Sequence, residues 1–184
     1  MGRQNFTSTD VAEFPPASHT PVTASAARTN LWVPALWTPI SAFDVKAGRS
    51  WILRCGGVFT TTATQGTITF NPTFGQSATP ASNIAFGASN AITWTASLTG
   101  QAWFAEFIFG VRQIGIAAAG ATITGNGFVT IKGAAAAVSQ VADMGGTVIT
   151  TADHSTAQGV CLDVTLSVAS QSITAQWTHL QNLS

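Results

Sequence analysis

Residues 101–114 read QAWFAEFIFGVRQI, and the strand period of two divides them between two faces. Trp103, Ala105, Phe107, Phe109 and Val111 fall on one, an apolar row suited to the core of a sheet protein. Phe104, Glu106, Ile108, Gly110 and Arg112 fall on the other. A sheet in a two-layer sandwich meets its core on one face only. The second face, carrying Phe104 and Ile108, therefore calls for a cover from outside, and a neighbouring subunit is the expected one. Glu106 and Arg112 are expected either to pair around a symmetry axis or to be ordinary solvated charges.

Outward from this strand the chain repeats the pattern in short β-branched and aromatic runs separated by Gly, Ser, Asn and Pro. After a turn at Lys46 to Gly48, Trp51 to Thr61 alternates with its odd-numbered residues toward the core. Thr67 to Phe74 is a half-buried strand in which Pro72 marks an edge or bulge. Ala91 to Leu98, Ala121 to Lys132 and Thr147 to Thr151 follow. The last two runs read as a hairpin: Val160, Leu162, Val164, Leu166 and Val168 alternate with polar residues. A turn at Ser170-Gln171 then leads into Ile173, Ala175, Trp177 and His179 on one dry face. Pro34 and Pro39 restrict Leu31 to Ile40 to an edge or entry segment. Ala134 to Val141 is the one candidate helical turn, and it suits a loop equally well. Eight or nine strands without a convincing helix predict an all-β fold, an antiparallel jelly-roll β-sandwich over residues 31–184. Residues 1–30, rich in Thr, Ser, Ala and Pro, predict an extended N-terminal arm in which Phe6, Val11, Phe14 and Val22 are spaced apolar anchors.

Charge is scarce. Asp, Glu, Lys and Arg make up 8% of the 184 residues, seven acidic against seven basic, where an ordinary soluble domain carries about 25%. A free monomer usually keeps itself soluble with interspersed charge, so this surface is expected to be covered. No stretch approaches the roughly 18 to 20 apolar residues of a spanning helix, which points to a protein cover rather than a membrane. Small residues from Ala121 to Val138 suggest close approach of another backbone. The N-terminal MGRQNFTSTD has no apolar signal region, so assembly in a cytoplasm is expected.

No chemistry stands out. Asp153-His154-Ser155 places triad residue types side by side, but a triad converges from separate segments, and a polar loop is the simpler reading. The three histidines make no metal spacing, and Cys55 and Cys161 read as buried free thiols. Scattered carboxylates do not define a hydrolase cleft, and no phosphate loop or basic patch suggests nucleic acid. Neither a catalytic residue nor a cofactor or metal is expected. Sugar binding through tryptophan needs no motif and stays open, although six Trp with no Tyr suit cores and dry interfaces better.

LWVPALWTPISAFDVKAGRSWILRCGGVFTTTATQGTITF (31–70), TFGQSATPASNIAFGASN (73–90), TGNGFVTIKG (124–133) and STAQGVCLDVTLSVASQSITAQW (155–177) resemble virion structural proteins of tailed bacteriophages infecting actinobacteria. The opening LWxPxLWxPI of Leu31 to Ile40 and the step at Cys55-Gly56-Gly57 are the most distinctive elements. The resemblance implies a non-enzymatic jelly-roll module, either a decoration or minor capsid subunit on the capsid exterior or a minor tail protein. On the first reading it is a homotrimer bound to the major capsid protein, with Phe104, Glu106, Ile108 and Arg112 at a subunit interface and the arm on the shell. On the second it binds a host surface glycan or protein.

Overall fold

A computed structural model describes residues 10–14, 21–23, 25–34, 39–115, 119–132, 139–168 and 171–183. Among these, thirteen strands run in chain order: β1 Asp10–Phe14, β2 Val22–Thr23, β3 Thr29–Asn30, β4 Ser50–Thr60, β5 Thr67–Phe74, β6 Ile84–Ala85, β7 Ile92–Thr93, β8 Gln101–Gln113, β9 Ala119–Lys132, β10 Ser139–Gly145, β11 Ile149–Asp153, β12 Val160–Leu166 and β13 Ser172–Asn182. They form two antiparallel sheets. The larger has the order β1-β13-β4-β8-β9-β10, with β2 also on β13 and β11 also on β9; the smaller has the order β3-β12-β5-β6, with β7 also on β5. The fold is an all-β sandwich, as the patterning predicts.

Its core lies between the sheets and is strongly aromatic. Phe70 of β5 meets Trp103 of β8 at 5.6 Å between ring centroids, Phe74 meets Phe109 at 6.4 Å, and Phe86 covers Phe107 at 4.9 Å. The whole row from Trp103 to Val111 is buried, as read from the sequence. The small residues after Ala121 serve this core. A Cβ on Gly127 would stand 2.1 Å from Glu106 O, and one on Gly125 would stand 2.4 Å from the Phe107 ring. These glycines let β9 close over large side chains of its own chain, so a second backbone is not needed to explain them. Residues 133–138, which include most of the candidate helical turn, lie outside the described residues.

The expected hairpin of the last two strands is not formed. β12 pairs with β5 in the small sheet, whereas β13 pairs with β4 in the large one. The chain crosses the sandwich between them just as it does between β4 and β5, so the two strand pairs change sheets together. Ser167 N–H donates to Thr67 O and Thr67 N–H to the Ser167 hydroxyl at this shared corner. That nested crossing is jelly-roll-like; the β8-β9-β10 meander is a simpler up-and-down addition.

Parts of the expected arm pair within the sandwich. β2 pairs with the start of β13, β3 with β12, and Val22 is buried in the chain's own core. β1 extends the same edge of the large sheet, with Phe14 opposite Thr178. Segments of the expected arm therefore cover strand edges on the side of β12 and β13 that would otherwise present unpaired backbone. Phe6 lies outside the described residues.

Candidate interaction face on the large sheet

The outer face of the large sheet is built by cross-strand rows. Arg54, Glu106 and Phe128 are direct neighbours on β4, β8 and β9, as are Gly56, Phe104 and Thr130 one step along. Phe104 lies between two rings, 6.1 Å from Phe128 and 6.0 Å from Trp177 by centroid. The result is a three-ring apolar patch facing away from the core, with Trp177 41% exposed. Ile108, 46% exposed, and Val141, 63% exposed, extend the apolar surface on β8 and β10.

Trp177 reaches this face through a β-bulge. Opposite β4, Ala175 pairs with Gly57 and Trp177 with Gly56, leaving Gln176 as the extra residue. The bulge changes the parity of the strand, so Ile173, Ala175, Thr178 and Leu180 are buried while Trp177 and His179 turn outward. This corrects the regular alternation that placed Trp177 and His179 with Ile173 on one dry face. Two glycines accommodate the change. A Cβ on Gly57 would come within 2.0 Å of Thr174 O, and one on Gly56 would touch the Trp177 ring at 3.0 Å. Gly56 is thus the seat of the exposed indole.

Within the chain, the partner of Glu106 is Arg54. Glu106 Oε2 accepts from Arg54 Nε at 2.8 Å, and Arg54 also donates to Gln181 Oε1 at 3.2 Å. The reason is register: Arg54 faces Glu106 directly across the ladder, whereas Arg112 lies six residues farther along β8, about 20 Å at strand rise, in an irregular stretch between Val111 and Gln113. The ion pair sits amid the apolar patch and is neutral in itself, while Asp143 of β10, exposed and directly opposite Phe128, sets a carboxylate at the edge of the patch. Beyond Ile108 the face dips into an open cavity of ≈ 440 Å³ lined in part by Ser50, Gly110, Thr124 and Asn126.

Of the residues expected at an interface, Phe104 and Ile108 share this face with Glu106, and Arg112 is exposed. The same face also carries Trp177, Phe128 and Arg54, which the strand patterning does not single out. The signal available for Trp177 was the clash of parity between Ile173 and Leu180, which cannot both face a core along a regular strand. Of the spaced apolar residues before Leu31, Val11 and Phe14 belong to β1 on the edge of the same sheet.

Other polar groups have local structural duties. Asp153 Oδ1 accepts from the backbone N–H and the hydroxyl of Ser155, at 2.8 and 2.7 Å, so the serine closes a turn and does not address His154. These hydrogen bonds hold the Asp153 carboxyl below its usual value. Cys55 and Cys161 are free and buried, and burial pushes both thiols up. Arg49 pairs with Asp44 at 3.1 Å. Among the described residues, no group of three or more His, Cys, Asp or Glu is arranged to hold a metal ion. No protein-family model matches this chain, and no curated protein is returned as a relative.

Proposed function

We propose that this protein is a non-enzymatic structural subunit of a phage virion, a capsid decoration or minor capsid protein. It assembles in the host cytoplasm and binds the outside of the head shell as a homotrimer. The observation that carries the reading is the patch of Trp177, Phe104, Phe128, Ile108 and Val141, set on a sheet face whose central charges, Arg54 and Glu106, neutralise each other. In a chain with so little charge, such a face is suited to burial against a sister subunit or the major capsid protein. Each Å² of apolar area removed from water contributes about 25 cal/mol before ordering costs are subtracted. Stabilising a shell against internal pressure requires that gain, summed over many copies, and no turnover.

A minor tail or fibre module binding a host glycan or protein is the second reading. It is favoured by the partly exposed Trp177 indole beside an ion pair, which together offer stacking and hydrogen bonding to a sugar. A stained gel of purified particles separates the two. Copy numbers comparable to the major capsid protein support decoration, a few copies per particle support the tail, and absence from the particle overturns both. Replacing Phe104 and Ile108 together by Lys is expected to leave a folded protein that no longer binds particles stripped of it. Full occupancy by that variant would remove this face from the proposal.

A further inference from the structure

The small sheet's outer face holds a row of buried acceptor oxygens that receive no hydrogen bond. Asn30, Asp163 and Asn71 are direct cross-strand neighbours on β3, β12 and β5, and their side chains share that face. Asp163 is fully buried, and both its oxygens, with Asn30 Oδ1 and Asn71 Oδ1, accept no hydrogen bond. Arg28 Nε stands 3.3 Å from Asp163 Oδ2 as an ion-pair partner, while its Nη2 donates to Pro80 O. Asn30 Nδ2 donates to Ala78 O at 3.0 Å. One cluster thus ties together β12, the segment leading into β3 and the loop over residues 75–83.

Stacked acceptors in a dry site repel one another unless a proton or a cation enters the row. Arg28 already occupies the cationic position, leaving the proton. We propose that Asp163 is a proton-operated latch: protonated, it donates to a neighbouring Asn oxygen and holds residues 25–31 and the 75–83 loop on the small sheet; ionised, it keeps Arg28 but faces the Asn oxygens with no donor between them, and the segment and loop loosen. This rests on the cluster alone and is independent of any role in a virion.

The titration supports the geometry. Burial pushes the Asp163 carboxyl up to about 7, against the opposing pull of Arg28 and the smaller pulls of Cys161 and Thr73. Those last two donors are engaged elsewhere, Cys161 Sγ with Trp32 O at 3.2 Å and Thr73 Oγ1 with Cys161 O at 3.4 Å. Asn71 and Thr73 of β5, Asn30 of β3 and residues 76–82 of the covering loop bring no ionisable group, so among the described residues Arg28 and Cys161 are the titratable neighbours. Because the folded-state value lies above the ordinary 3.8, stability is fully present below the latter and is lost as pH rises through about 7.

Carboxyl-carbon NMR of the full chain between pH 4.5 and 8.5 tests this. Asp163 should titrate with a midpoint near 7, Asp163→Asn should abolish that transition, and Arg28→Gln should move it upward. Corrected for intrinsic exchange, protection of the Leu31 amide, which donates to Leu162 O at 3.0 Å, should fall at least tenfold from pH 5.5 to 8.5 in the wild type only. A midpoint near 3.8 would mean that the Asn amides donate to an ionised carboxylate and would overturn the latch. So would pH-independent protection of Leu31. A midpoint that drops on adding calcium chloride and returns on chelation would replace the proton by a cation and overturn it equally.

Discussion

Phe43 is 62% exposed, yet its φ of 63° lies in the left-handed region that suits glycine or asparagine. A bulky L-residue there costs roughly 1–2 kcal/mol, and the turn is held by Phe43 N–H donating to His154 O at 2.9 Å and Asp44 N–H to Ser41 O at 3.1 Å. Phe43→Asn keeps the turn, relieves most of the strain and removes apolar surface from water. It should raise stability by about 0.5–1 kcal/mol, read as a higher urea midpoint with unchanged slope. An unchanged or lower midpoint would show that the ring packs usefully within the subunit. No reading of residue types finds the strain at Phe43, because LWTPISAFDV carries no φ angle.

At the level of elements, long regular strands were legible and irregular ones were not. The thirteen residues of β8 contain enough alternation to assign every core position from Trp103 to Val111 correctly. In β13 one bulge at Gln176 reverses the alternation and hides Trp177's outward position. β12 and β13 were recognisable as strands, but alternation says nothing about partners, and the five-residue step between them fits a hairpin as well as a crossing of the sandwich. The cover over Asp163 was equally invisible, since it comes from residues distant in sequence. The bulge makes an asymmetric prediction. Deleting Gln176 restores a plain ladder without moving any side chain to the opposite face, and should cost at most about 1 kcal/mol. Deleting His179 swings the fully buried Leu180 outward, and should cost on the order of 2–5 kcal/mol by thermal or urea unfolding. Were β13 regular, removing Gln176 would be the more damaging change.

For the molecule as a whole, the deficit of charge has two separate causes. Part of it is the aromatic core, where Trp51, Phe59, Phe70, Phe74, Phe86, Phe107 and Phe109 are almost wholly buried. The other part is the large sheet's outer face, where an apolar patch surrounds a neutralised ion pair in a chain of formal net charge +0. With a formal net charge of +0 and a sequence pI of 6.8, association through that face meets little overall self-repulsion. The purified protein should therefore self-associate at micromolar concentration in sedimentation velocity. Because the driving force is apolar burial, added salt should leave the association constant unchanged or raise it. Phe104→Lys with Ile108→Lys places two like charges on the face and should return the protein to a monomer at low ionic strength. If wild type were monomeric at 100 μM, or the double variant associated as strongly, the patch would not be a self-interface. Truncation locates the remaining cover: removing residues 1–20 spares Val22, Arg28 and β3, whereas removing 1–30 takes away a core side chain, a small-sheet edge strand and the partner of Asp163. Only the shorter deletion is expected to give a folded subunit, so it alone can report whether the preceding residues contribute to assembly.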